Sequence, residues 1–537
     1  MALLLSSLGI ATALVVAFCL VRWTSNSSQA QPQRQIPVKP NPVVEKLLAA
    51  LPEIVLLPHD SDAFRKSINT YWAQQEREVV QAAIVQPRNA GDLAKVIAIL
   101  KAEYNTRSTK PRQNFEDVLF AIRGGGQSPI SGSASAKGGV LIDLALFREV
   151  TVADDRESVA VGAGNRWIDV YRVLDGKGLT VVGGRSADVG VAGLTLGGGM
   201  SYLTPRFGLA CSNVLAYEVV LASGEIITAT ATSYPDLWRA LKGGSNNFGI
   251  VTRFILRCFP STDIWSGCIY APGSQSTKAL VALHESIKRA DPKSSRTDVD
   301  LHAAGPIVCF GYVQSLGVQV IAIYLAYTTL PEEPHQWPVY WKRSKFASLW
   351  RFWSSLKTSN LTSAVKSMSD AAPPGRRWSF STTTIKNDLP TMMAAYAAHQ
   401  DIITALRSVK GLIFSLVMQP LLPSWAGKGD ANPLGIHEST DDALIIISFS
   451  AHWRRVEDDK KVHASMREIV EQIEAVATKN GTSHPYRYLN YCSKWQRPLE
   501  GYGEQNLHFL KEVSKSYDPD GLFQRGCEGG FKLDAHP

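Results

Sequence analysis

Three consecutive glycines stand between an arginine and a glutamine at RGGGQ, residues 123 to 127, directly after the apolar run VLFAI. A strand that ends in three glycines must pass where a Cβ would collide, so this stretch dictates a close approach of backbone to another body. Amides in such a turn converge on an anion, and Arg123 is expected to add positive charge beside them. Glycine returns at similar density in VVGGRSADVGVAGLTLGGGMSYLTPRFG, which ends at Gly208, and again in LKGGSNNFGIVTRF at 241 to 254. One cluster alone reads as tight turns. Three clusters in a region otherwise rich in β-branched residues favour a bound cofactor.

Between residues 84 and 260 short β-branched runs alternate with amphipathic helices, the pattern of a mixed α and β domain. Leu93, Val96, Ile97 and Leu100 share one helical face. Strand-like runs follow at VLFAI (118 to 122), VLIDL (140 to 144), SVAVGAG (158 to 164) and LTVVGG (179 to 184), and Ser223 and Gly224 punctuate a hairpin in YEVVLASGEIITA. A dinucleotide fingerprint begun by Gly162 and Gly164 meets Trp167 where its third glycine belongs, which rejects a Rossmann fold. Trp167, Val170, Tyr171 and Leu174 form a helix packing face instead. From 261 to 485 aromatic and apolar runs such as VQVIAIYLAY and GLIFSLVMQP alternate with helices. The last of these helices repeats Val462, Met466, Ile469, Ile473 and Val476 at spacings of four and three, until Asn480 and Gly481 stop it.

The net charge of +8 is scattered without a basic run, so no nucleic-acid partner is expected. Seven cysteines without a CxxC pair indicate neither a zinc site nor a disulfide scaffold. Residues 2 to 21 form an uncharged stretch of bilayer-spanning length that ends at Arg22 and Trp23. This predicts a single-pass anchor in an endomembrane, with secretion after signal cleavage as the alternative. Three sequons, at Asn26, Asn360 and Asn480, point weakly to a glycoprotein, and the Pro-rich segment QAQPQRQIPVKPNPV reads as an extended linker.

The combination of RGGGQ, VGAGNRWIDVY, VVGGRSADVGVAGLTLGGGMS, YEVVLASGE, DLWRALKGGSNNFGIVT, YLNY and YDPDGLF resembles the berberine bridge enzyme-like FAD-linked oxidoreductases, nearest to those of fungal secondary metabolism. The match runs from residue 70 to 525. It implies an α+β chain: an anchor or signal segment (1–22), a linker (23–60), a two-part FAD-binding domain of the vanillyl-alcohol oxidase type (61–260), an antiparallel sheet-and-helix substrate domain (261–485), and a C-terminal segment (486–537) completing the FAD domain. It further implies that Arg123, Gly124, Gly125, Gly126, Gln127 and Ser128 wrap the FAD pyrophosphate. Val189, Gly190, Gly193, Gly197 and Gly199 would run beside the ribityl chain and ring. Gly249, Ile250 and Val251 would meet the adenine end, and Tyr488 and Asn490 would face the flavin.

Two departures from the family pattern bear on how FAD is held. Gln127 stands where a histidine usually bonds to the flavin 8α-carbon, and Ser186 stands where bicovalent members carry a cysteine. Neither side chain is a comparable nucleophile, so FAD is expected to be non-covalent. Ala192 also replaces a glycine, placing a Cβ near the flavin. Tyr491 is the expected catalytic base, with Lys494 and Arg497 as cations near in sequence to lower its pKa from about 10. Gln419, on one strand face with Ser415 and Val417, is the expected substrate contact, whereas His437 and His452 are read as structural. The implied activity is hydride removal from a hydrophobic small molecule (an alcohol, an aldehyde or a ring C–H), with O2 reduced to H2O2. A non-redox cyclase that retains FAD is the alternative, and a degenerate binding protein a third.

Overall fold

Each apolar run marked above becomes a strand or helix with its apolar side inward. The computed structural model describes residues 41–58, 62–108, 118–333, 335–527 and 529–534. Among these, three sheets organise the chain. In the first, Ala83–Val85 and Phe120–Arg123 flank Val140–Asp143 in parallel, and Val55–Leu56 closes one edge. The helix Ala90–Ser108 lies close by with Leu93, Val96, Ile97 and Leu100 fully buried. The second sheet is antiparallel, and Ile250–Pro260 is its spine, pairing with Ser158–Gly162, Val214–Val220 and Leu179–Val181. The expected hairpin joins Val214–Val220 to Ile226–Thr230, and Gly224 takes the positive φ of 86° that its turn requires.

The third sheet is antiparallel and runs across Ile264–Pro272, Val318–Tyr327, Ala303–Val313, Ile413–Leu421, Leu444–Trp453 and Arg377–Lys386. One face is apolar and packs against Ser276–Ala290, Leu389–Leu406 and Asp459–Lys479. In the last helix Val462, Met466, Ile469 and Ile473 are buried as the spacing predicts. Ala477 rather than Val476 completes the stripe, since four turns at 3.6 residues carry the buried face about 0.4 residue beyond a strict four-three repeat, toward the later position. Each such side chain contributes about 1.5–3 kcal/mol on burial. The opposite face turns toward the glycine-rich loops.

Two N-terminal expectations are corrected. The linker does not extend to residue 60: Asn41 caps a helix, Pro42–Ala50, whose Val43, Val44 and Leu47 are buried. The membrane-anchored localisation is also overturned, since no helix of the described residues is long and apolar enough to cross a membrane. Residues 2 to 21, where that anchor was expected, lie outside the described residues, as does Asn26.

Three buried histidines make the fold acid-sensitive. Burial pushes His399, His452 and His484 down to about 4, 3 and 4. An unfolded histidine binds its proton near pH 6.5, so below that pH the unfolded chain holds more protons than the folded one. The stability these groups confer is complete above pH 6.5 and is lost as the pH falls toward 4. Burial raises Glu76 and Asp518, which offsets part of the effect. A net loss of about 1–3 kcal/mol per pH unit is expected near pH 5, read from urea midpoints. His452→Phe should flatten that slope by about 1.4 kcal/mol per pH unit; an unchanged slope would refute the assignment.

Candidate active site

The strand Phe120–Arg123 delivers the first glycine loop, but it turns its arginine inward. Arg123 lies opposite Asp143 in the parallel register, and its Nη2 meets Asp143 Oδ2 at 2.6 Å. Nη1 donates to the Ser67 carbonyl at 2.9 Å, Nη2 also reaches Ser67 Oγ, and the guanidinium stacks on Tyr71. With 1% exposure, Arg123 is therefore a structural ion pair under the loop, contrary to the charge-donating role expected of it. The loop's own backbone remains available: among the described residues, the amides of Gly125, Gly126, Gln127 and Ser128 donate to no protein acceptor. Four free amides in sequence are an anion cradle. Gly126 holds a φ of 65°, Gln127 is half-buried, and Ser128 Oγ accepts from the Ile130 amide at 3.2 Å.

The second loop touches the first. A Cβ built on Gly190 would lie 2.6 Å from the Gly125 Cα, so two backbones meet where only glycines fit. Arg166 clamps this junction, donating to the carbonyls of Gly125 at 3.0 Å, Asp188 at 2.7 Å and Thr70 at 3.2 Å. Sequence reasoning missed it, although it sits inside the quoted VGAGNRWIDVY. Val189 is half-buried beside the junction. Around Gly193 nothing of the protein lies within 4 Å of a built Cβ, which marks an open groove wall. Gly197 instead abuts the Asn490 amide, and Gly199 (φ 83°) packs on Ala210 and Leu194. Ala192 is buried, and Ser186 Oγ bonds Ser369 Oγ at 2.8 Å. Gly249, Ile250 and Val251 are buried against Val219 and Val220 at the start of the spine strand.

Over the second loop stands the pair that the C-terminal YLNY contributes. Tyr488 Oη accepts from the Met200 amide at 3.0 Å and from Asn490 Nδ2 at 3.1 Å. Burial pushes that phenol up to about 12, so it stays neutral. Asn490 Nδ2 also donates to the Leu194 carbonyl at 3.1 Å. Tyr491, half-buried, packs edge-on to Tyr488 with ring centroids 4.8 Å apart and faces Phe380 at 6.2 Å. Its hydroxyl accepts from Arg185 Nη2 at 3.3 Å, and the same nitrogen donates to Gln419 Oε1 at 2.7 Å. The structure thus joins Tyr491 and Gln419 through a residue that sequence reasoning overlooked. Lys494 and Arg497, the cations expected beside Tyr491, are exposed, and Arg497 reaches Glu500. His437 is partly exposed near Glu438, and His452 is buried against the Trp378 ring.

The donor set fits a dinucleotide: free amides for phosphates, an open glycine wall, and a neutral tyrosine and asparagine beside it. Comparison with known proteins agrees. Residues 81–230 match the family model described as an FAD binding domain. The chain is 35% identical over 476 residues to an FAD-dependent monooxygenase of Fusarium proliferatum, covering 86% of this chain and 87% of that one. It is 32% identical over 425 residues to the bifunctional solanapyrone synthase of Alternaria solani, covering 78% of each. Its fold is similar to that of 6-hydroxy-D-nicotine oxidase from Arthrobacter nicotinovorans, with a TM-score of 0.70 at 20% identity over 89% of this chain and 97% of that one. Glucooligosaccharide oxidase from Acremonium strictum, described as carrying 6-S-cysteinyl, 8α-N1-histidyl FAD, gives 0.69 at 17% identity over 92% and 100%.

Proposed function

The chain belongs to the berberine bridge enzyme-like FAD-linked oxidoreductases of fungal secondary metabolism, and on that premise we propose that it removes a hydride from a hydrophobic small molecule and passes the electrons to O2, giving H2O2. The observation that carries this reading is the convergence of Tyr491 and Gln419 on the one nitrogen of Arg185, beside the neutral Tyr488. When bound, FAD supplies the two-electron sink. The amides of Gly125 to Ser128 would hold its pyrophosphate, Gly193 and Val189 would flank the ribityl chain and ring, and the Gly249 to Val251 turn would meet the adenine end. Tyr488 and Asn490 keep the second loop in place through Met200 and Leu194. Tyr491 takes the substrate proton at its hydroxyl oxygen, which Arg185 Nη2 holds in place at 3.3 Å. Anaerobic addition of substrate is expected to bleach the flavin; product formed without bleaching would favour the cyclase alternative.

FAD is held without a covalent bond in this proposal. Gln127 and Ser186 offer an amide and a hydroxyl where flavinylation needs an imidazole and a thiolate. Acid precipitation of the purified protein should leave a colourless pellet under a yellow supernatant, and a yellow pellet would refute it.

A further inference from the structure

We propose that Arg185 is the recognition point for an oxyanion on a flat conjugated ring, a phenolate or enolate, in the substrate of the reaction proposed above. This inference rests on that reaction and names the class of molecule it acts on. Arg185 lies half-buried in the GGRS turn, and both of its hydrogen bonds leave the same nitrogen, Nη2, toward the amide oxygen of Gln419 and the hydroxyl of Tyr491. Among the described residues no carboxylate pairs with it. That is unlike Arg123 and Arg377, the more deeply buried arginines, which both face acids at 2.7 Å or less. A guanidinium withdrawn from water without a counter-ion is costly, and an incoming anion relieves that cost. Among the described residues Nη1 and Nε have no protein acceptor, so the fork keeps two adjacent donors for one oxyanion.

The walls select the rest of the molecule. Val417 and Ser415 alternate with Gln419 and so share its sheet face, where the registers also place Cys309 and Tyr324. Phe380 stands against Tyr491 from the neighbouring part of the sheet. Val417, Tyr324, Cys309 and Phe380 are all half-buried, which leaves them surface to offer a ligand. Burial raises the Tyr324 phenol well above its ordinary value and pushes the Cys309 thiol up to about 11, so both stay neutral. Flat apolar surface around a single cation matches a planar ring with one ionised oxygen.

The test uses the FAD-loaded enzyme with 4-nitrophenol and its uncharged methyl ether, 4-nitroanisole. The phenolate is expected to bind at least about 10-fold more tightly than the ether, and the ionisation of bound 4-nitrophenol, followed by its own absorbance, should shift down by about one pH unit or more. Arg185→Gln should reduce the discrimination to under about 3-fold without changing affinity for the ether, and Arg185→Lys should restore part of it. Equal binding of the two probes, no binding of either, or discrimination that survives in Arg185→Gln would overturn the inference. Enzyme that carries FAD but shows no phenolate preference sinks this inference alone. Enzyme that never takes up FAD sinks the reaction on which it rests.

Discussion

Gly125→Ala is expected to destroy cofactor binding, and Gly193→Ala is expected to weaken it without disturbing the protein. At Gly125 a new Cβ would meet the backbone nitrogen of Gly190 at 2.6 Å. Neither partner is a side-chain end that can swing away, so the two loops must separate. We expect a loss of about 3 kcal/mol or more in stability and at least a 100-fold loss in FAD affinity, since the four free amides are carried on the displaced segment. Gly193 differs because its Cβ would enter open space. The apo protein should melt within about 1 °C of wild type, while FAD affinity falls by about 10-fold, one methyl group having entered the groove. Thermal melts with and without added FAD separate the cases. A Gly193→Ala protein that binds FAD at wild-type strength would place the flavin elsewhere.

Tyr491→Phe carries the second large effect. Removing the hydroxyl that Arg185 holds at 3.3 Å should lower kcat by about 10²–10⁴-fold, the range for loss of a general base, with FAD content unchanged. Lys494→Ala and Arg497→Ala should leave kcat within about 2-fold, because both side chains lie in solvent. If Tyr491→Phe retains full turnover, the proton goes elsewhere and Tyr491 only shapes the pocket.

The glycine clusters were legible because glycine density reports a backbone constraint whatever the partner is. The partner itself was not. Gly125 and Gly190 meet each other, a contact between loops from different parts of the chain that neither loop discloses alone. Arg123 was misread for a related reason. A charged residue beside a glycine turn reads as a ligand for an anion, but strand alternation turned it inward, and the parallel register set it opposite Asp143. VLIDL contains that aspartate, so pairing the two runs in register would have exposed the ion pair. Tyr491 was found, yet its cation was sought within six residues along the chain. The short helical turn Leu489–Tyr491 sets the phenol against Tyr488 and Phe380 and leaves Lys494 exposed, while Arg185 arrives from a loop 306 positions away. The strands and the last helix were legible because their periodicity is local. The continuation of fold into residues 42–54 was not, since Pro42 and Pro52 suggest a linker although each opens a helix at a position where proline is tolerated.

The C-terminal residues close what the N-terminal ones begin. Cys527 bridges to Phe120, Tyr104 donates to the Asp520 carbonyl at 2.9 Å across 416 positions, and Asn246 and Asn247 donate to the carbonyls of Gly529 and Phe531. The third glycine loop is thus pinned by the last described residues of the chain. During synthesis the edge of the first sheet and the third glycine loop stay unfastened until residues 520 to 531 have emerged. A nascent chain stalled before residue 520 therefore holds its glycine loops without the segment that fastens them.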